Sequence, residues 1–277
     1  MKISIVIVTY NRLAELAELL ESIARQTVLP HEVIIVNDAG ESTEPLVSLY
    51  SELPIKAIEL TENVKHVRAR NIGVKHVTGD AIMLCDDDDF ITETHLEQAV
   101  IGLQHADFVY FDAEIVQFEK RENTRYPFKR QLFAYQYNLA EMKKFSTFVP
   151  SGSVYKKELH DKIGLFDPDV HNYWDWDFFL RAAEACSVKR IPMASVIYAF
   201  SEDGTNQSAD LGLKRKMYLD RLCEKHQLGD LPTKNFFVLL EEPEMKDREA
   251  ETKRVWDGKP VFTRYSQQEE SNEITNG

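Results

Sequence analysis

Ile3-Ser4-Ile5-Val6-Ile7-Val8-Thr9-Tyr10-Asn11-Arg12 is an aliphatic run that ends in a polar cluster. Apart from Ser4, each residue from Ile3 to Val8 is apolar and β-branched, the composition of a strand buried on both faces of a parallel sheet. Leu13, Leu16, Leu19, Leu20 and Ile23 then recur at helical spacing, and Pro30 closes that segment. A second strand is predicted over Glu32–Asn37, followed by the turn Asp38-Ala39-Gly40, and a third over Ile55–Leu60. A helix over 67–76 leads through Thr78-Gly79-Asp80 to a strand over Ala81–Cys85, which runs into Asp86-Asp87-Asp88-Asp89. Strands separated by helical stretches predict βαβ units and a mostly parallel sheet of the α/β, Rossmann-like class. Ligands of such sheets bind outside the carboxyl ends of the strands. Thr9-Tyr10-Asn11, Asn37-Asp38 and Asp86 to Asp89 all stand at such ends and are expected to share one rim.

Beyond residue 106 the pattern is less regular. Asp107–Gln117 and Val188–Phe200 have strand character, Tyr126–Tyr137 reads as an aromatic-rich connection, and Pro150-Ser151-Gly152-Ser153 as a turn. Asp175–Ala185 has helical periodicity and Leu211–His226 fits an amphipathic helix. The expected organisation is a donor-binding half over 1–106, a smaller mixed acceptor-side half of the same domain over 107–230, and an extension, lid or flexible tail over 231–277. The charged sequence from Glu241 onward has few periodic apolar positions, so deletion of Glu251–Gly277 is expected to spare ligand binding.

Composition narrows the classes further. With 277 residues, 43% hydrophobic and 29% charged, the chain can bury one substantial core. Its formal charge of −13 makes it a poor partner for nucleic acid, whose binding runs on Lys and Arg neutralising phosphates. The three cysteines Cys85, Cys186 and Cys223 are dispersed, without a paired framework, and point to a reducing compartment. Ile3–Val8 is too short for a signal sequence or a membrane span, so the expected location is cytoplasmic, with peripheral contact at the inner face of the membrane left open.

An aspartate run alone reads equally well as a solvated acidic turn or helix cap and as a cation site. The ligand spacing and glycine of a calcium EF-hand are missing. A Rossmann glycine fingerprint and a Walker A loop are missing too, so a bound diphosphate would rely on a metal and on Arg12, Arg68 or Arg70. By themselves Arg70 and Arg181 are ordinary helix charges, Trp174 and Trp176 core or sugar platforms, and the scattered histidines show no ligand spacing.

Val8-Thr9-Tyr10-Asn11-Arg12, Val36-Asn37-Asp38, Ala69-Arg70-Asn71-Ile72-Gly73, Asp86-Asp87-Asp88-Asp89 and Trp174-Asp175-Trp176-Asp177 with Leu180-Arg181 follow one another in the order and spacing of a known family. Over roughly residues 3–205 the chain resembles the family-2 glycosyltransferases. The resemblance implies the GT-A fold and inverting transfer of a sugar from a nucleoside-diphosphate donor. The acceptor would be a carbohydrate, lipid-linked or other hydroxyl, as in glycan or cell-surface polysaccharide synthesis, with Mn²⁺ or Mg²⁺ as cofactor. It implies donor binding by Thr9, Tyr10, Asn11, Arg12, Asp38, Arg70, Asp86 and Asp87, with Asp38 accepting from the imide N–H of uracil or thymine. Asp88 would ligate the metal, Asp175 would be the general base, and Trp174 and Trp176 would lie on the acceptor side. Asp177 would cap the helix or pair with Arg181.

Three positions depart from the pattern. Lys65 stands where the family usually has Gly, and Trp174 where it has Glu. Phe200-Ser201-Glu202-Asp203 replaces a metal- or phosphate-binding His, so Glu202 or Asp203 is a candidate for the metal shell. The competing readings are a sugar-1-phosphate nucleotidyltransferase, which should carry a Gly-rich basic loop after the first strand, and a catalytically silent nucleotide-sugar-binding scaffold.

Overall fold

The structure, a computed structural model, describes residues 1–121, 124–200, 213–233, 240 and 242–267. The first half follows the chain as β1 (Ile3–Thr9), α1 (Leu13–Ala24), β2 (Glu32–Asn37), α2 (Glu44–Val47), β3 (Ile55–Glu59), α3 (His66–Lys75), β4 (Ala81–Asp86), β5 (Phe90–Ile91) and α4 (His95–Gly102). The second continues with β6 (Phe108–Arg121), β7 (Thr124–Phe133), α5 (Leu139–Met142), β8 (Val154–Lys156), α6 (Leu159–Ile163), α7 (Trp174–Ala185), β9 (Val188–Phe200), α8 (Leu213–His226), α9 (Pro243–Lys246) and β10 (Lys253–Arg254).

One sheet of ten strands runs through both halves in the order β10-β9-β6-β8-β4-β1-β2-β3, with β5 and β7 off this path. β3, β2, β1 and β4 are parallel neighbours, while β8 joins β4 and β6 antiparallel to both. The chain leaves β1 toward β2 and β3, then returns to place β4 on the other side of β1. Strand order thus reverses between β1 and β4, and a crevice opens at their carboxyl ends. Thr9 and Asp86 end those two strands.

The aliphatic run of β1 is buried on both faces for a visible reason. Ile3, Ile5 and Ile7 pack with Leu16, Leu19, Leu20 and Ile23 of α1, while Val6 and Val8 pack on the opposite face with α3 and the α7 aromatics Phe178 and Phe179. Gly73 lets α3 lie flat on the sheet, since a Cβ there would come within 2.6 Å of Val6 Cγ1. Among the described residues no helix is long and apolar enough to cross a membrane.

Two expectations are corrected. Tyr126–Tyr137 is largely a strand, β7, paired antiparallel with β6. Its alternation is masked because Arg130 sits on the buried side, where its guanidinium meets the fully buried Glu114 at 2.8 Å. Within the segment read as an extension, lid or flexible tail, residues 242–267 are laid on the body, which removes the flexible-tail alternative there and leaves the other two. β10 pairs with β9, and Trp256 packs on Phe90 with ring centroids 5.5 Å apart. Arg264 donates to Leu49 O at 2.9 Å and reaches Glu52 at 2.5 Å. Deleting 251–277 is therefore expected to destabilise the protein. Loss of the half-buried Trp256 side chain alone costs about 1–3 kcal/mol, less than a fully buried tryptophan would, or on the order of 5 °C in melting temperature at this size. A truncated chain that melts like the full-length protein would overturn this account.

Candidate active site

The switch-point crevice opens into a cavity of about 690 Å³. Thr9, Tyr10 and Arg12 line it from the end of β1, Asp38 from the end of β2, Arg70 from α3, Asp86, Asp87 and Asp88 from the end of β4, and Trp174, Asp175 and Trp176 from the start of α7. Of the residues expected to bind the donor, Asn11 alone does not line it. Asn11 adopts a left-handed φ of 56°, tolerated by its short polar side chain, and its Oδ1 accepts the Glu41 N–H at 2.8 Å. It shapes the turn.

Asp38 holds the neighbouring loop. Its carboxylate accepts the N–H groups of Val64 and Lys65 at 2.7 and 2.9 Å, and its carbonyl accepts from Asn63. Lys65 has φ 73°, a backbone that favours glycine and strains a lysine. The bond from Lys65 N to Asp38 helps hold that conformation and keeps the lysine at the cavity wall.

The four aspartates separate into two kinds. Asp86, Asp87 and Asp88 face the cavity, whereas Asp89 is fully buried, accepting the Ser151 hydroxyl and the Ala199 N–H. It ties the β4–β5 turn to β9. Arg12 crosses to the carboxylates, donating to Asp88 Oδ2 at 2.6 Å and Asp87 Oδ1 at 3.3 Å. Burial first, and the adjacent Asp88 second, push the Asp87 carboxyl up to about 7. Asp88 is likewise raised, chiefly by burial. Among the described residues no three His, Cys, Asp or Glu side chains gather closely enough to hold a metal unaided. Glu202 and Asp203 lie outside the described residues.

Arg70 is almost wholly buried, with its guanidinium 3.9 Å above the Trp174 ring and Nη2 donating to Asp86. Its Nε has no partner. Trp174, expected beside an acceptor, thus supports an arginine at the centre of the cavity. Trp176 is pinned by a 2.7 Å hydrogen bond from Nε1 to Met142 O. Between the two tryptophans, burial lifts the Asp175 carboxyl to about 6, with Asp86 adding to the rise and the Trp176 N–H opposing it. Asp177, half a helical turn away, meets Arg181 at 2.6 Å and Lys225 and His226 at 2.8 Å. The helix sends one carboxylate into the cavity and the other into a buried ion cluster.

A family model, Glycosyl transferase family 2, matches residues 4–164. The chain belongs to glycosyl transferase family 2. It is 66% identical over 264 residues to the uncharacterized glycosyltransferase YwdF of Bacillus subtilis (strain 168), covering 95% of this chain and 98% of that one. Among solved structures, the complex of Staphylococcus aureus TarS 1–349 with UDP-GlcNAc superposes with a TM-score of 0.62 at 19% identity, covering 84% of this chain and 68% of that one. A mannosyltransferase of Pyrobaculum calidifontis, in complex with GDP-Man and Mn²⁺, superposes with a TM-score of 0.59 at 21% identity, covering 83% of this chain and 66% of that one. The fold of this family-2 transferase is accordingly GT-A. The family assignment favours a transferase over the nucleotidyltransferase reading.

Several cavity residues of the transferase escaped the sequence reading. Asn63, His66, Phe145, His171, Tyr198, Arg215, Met245 and Arg248 also line the cavity. Tyr198, on a strand that was predicted, was detectable only as a hydroxyl at a carboxyl end. The others come together through tertiary packing and leave no spacing signal.

Proposed function

We propose that the cavity transfers a sugar from a UDP-sugar to an acceptor hydroxyl with inversion at the anomeric carbon. The observation that carries this reading is Asp175, a carboxyl raised to about 6, in one cavity with Asp86, Asp87, Asp88 and Arg70. A carboxylate with that pKa is ionised at neutral pH yet basic enough to take a proton from a hydroxyl as it attacks. A single base with no second positioned nucleophile suits direct displacement, hence inversion. Asp38, Thr9 and Tyr10 would receive the base and ribose, and the second lone pairs of the Asp38 oxygens suit the N3–H of uracil. Arg70, braced by Trp174 and Asp86, would hold the diphosphate. The UDP-GlcNAc complex of TarS and the Mn²⁺ complex of the mannosyltransferase support this reading by analogy of fold.

The residues present fit a divalent cation. Asp86 and Asp88 offer hard carboxylate oxygens, and the Arg12 guanidinium already sets a positive charge on Asp88. Carboxylates few in number suit Mg²⁺ or Mn²⁺, which take their remaining ligands from water and phosphate oxygens. When bound, the metal would neutralise the departing diphosphate.

Melting shifts with UDP, dTDP, CDP and GDP, each with and without Mn²⁺, test the reading. UDP or dTDP is expected to stabilise most, by about 2.7 kcal/mol at 100 times the dissociation constant. In Asp88→Asn the shift is expected to lose its Mn²⁺ dependence. A GDP preference, an equal response to all four, or wild-type Mn²⁺ dependence in Asp88→Asn would overturn the corresponding assignment. Release of UDP from a UDP-sugar separates turnover from binding by a silent scaffold.

A further inference from the structure

The far end of the cavity holds an arginine that the donor chemistry does not use. Arg248 is carried by the segment after α9, and its backbone is fixed where Gln136 N donates to Arg248 O at 2.8 Å. It lies within electrostatic reach of Tyr110 on β6. From β6 to β2, where Asp38 stands, the sheet order counts four strand spacings, on the order of 19 Å.

The surroundings of Arg248 differ from those of six other arginines in this molecule. Arg12, Arg70, Arg125, Arg130, Arg181 and Arg190 each meet a carboxylate at 2.5 to 2.8 Å. Among the described residues Arg248 forms no ion pair. Its Nη1 has only Met245 Sδ at 3.7 Å, its Nη2 has Thr147 Oγ1 at 3.4 Å, and its Nε has no partner. Glu141, which also lines the cavity, is engaged with Lys144 at 3.0 Å, and Glu242 and Glu244 stand on the same wall. Burial lowers the Arg248 pKa, and Glu141, within electrostatic reach but not in contact, offsets that only in part. In a chain with 13 excess negative charges, a half-buried guanidinium without a carboxylate is poised for one from outside. Its planar fork of donors matches a phosphate or carboxylate through paired hydrogen bonds, and the apolar walls of Phe145 and Met245 strengthen such a contact by excluding water.

We propose that Arg248 receives an oxyanion carried by the acceptor, so that the enzyme selects acceptors bearing a phosphate or carboxylate near the hydroxyl that is glycosylated. This rests on the reading of the cavity as a transferase site. The test is calorimetric titration of the UDP- and Mn²⁺-loaded full chain with glycerol 3-phosphate and glucuronate, against glycerol and glucose. One or both anions are expected to bind at least tenfold more tightly than their neutral counterparts, and the responding arm separates phosphate from carboxylate. Arg248→Gln is expected to abolish that difference and Arg248→Lys to keep part of it, with the UDP melting shift preserved in both. Equal binding of anionic and neutral compounds by the wild type overturns the proposal even where Arg248→Gln folds poorly, and so does an anion preference that survives in Arg248→Gln. If UDP fails to shift the wild-type melting temperature, the transferase reading fails and the proposal with it. UDP binding without anion preference removes the acceptor proposal alone.

Discussion

Replacing Asp175 by asparagine is expected to cut sugar transfer by roughly two to four orders of magnitude while raising the melting temperature at pH 8. The two effects share one cause. The Asp175 carboxyl is lifted from 3.8 to about 6, chiefly by burial, so the folded protein binds its proton more tightly than the unfolded chain does. Below pH 3.8 both states are protonated and the stabilisation is fully present; it is lost as pH rises through about 6. At pH 8 the desolvated charge costs on the order of 2–3 kcal/mol, and asparagine does not carry it. Oδ1 of asparagine can still accept the Trp176 N–H that the carboxylate now accepts. The variant should therefore melt several degrees higher at pH 8 and little differently at pH 4, with UDP binding near wild type. Wild-type kcat/KM should rise with pH through about 6. An active Asp175→Asn enzyme, or one less stable than wild type at pH 8, would remove Asp175 from the role of base.

Two residues along the same helix, Asp177→Asn is expected to do the reverse: to lose about 3–5 kcal/mol of stability and keep turnover per folded molecule. The Asp177 side chain is fully buried and faces Arg181, Lys225 and His226, so neutralising it strands the charges of Arg181 and Lys225 and weakens its contact with His226. Arg181 also donates to Ile163 O and Leu165 O, which makes this cluster the joint between α6, α7 and α8. Burial alone would raise the Asp177 carboxyl, but hydrogen bonds from His226 and Arg181 hold it well below the ordinary carboxylate range. Its contribution is thus present above pH 3.8 and lost as pH falls toward the depressed folded value. Chemical denaturation at pH 7 and pH 3 measures both the loss and its pH dependence. An Asp177→Asn protein that stays folded yet releases no UDP, beside an active Asp175→Asn, would exchange the two roles.

The strands β1, β2 and β4 were legible because burial on both faces demands unbroken aliphatic runs, and no helix among the described residues has that composition. The donor end of the cavity was legible for a related reason. Polar clusters at strand ends are read one by one in sequence and gathered by the strand-order reversal beside β1. Asp89 looked identical to its neighbours, and only the bonds from Ser151 and Ala199 show that it serves the sheet. β7 hid its register because Arg130 is paid for across the strand by Glu114, so a charge occupies an inward position. The segment over 242–267 is anchored by single side chains, Trp256 and Arg264, rather than by a periodic face, and no window of sequence reports such anchors. Arg248 was invisible for the same reason. Its meaning lies in the carboxylate it lacks.

The placement of that segment also bears on how the protein is born. Thr9, Asp38, Arg70, Asp86, Asp87, Asp88 and Asp175 all leave the ribosome before Met245 and Arg248 do, and β1, β2, β3 and β4 pair with one another within the first hundred residues. The parallel core β3-β2-β1-β4 can thus pair early, while the wall around Arg248 waits for synthesis to pass α9. On the proposed reading, the strands that would carry the donor site form before the wall that would select the acceptor, so the two halves of the specificity are laid down in the order in which the reaction would use them.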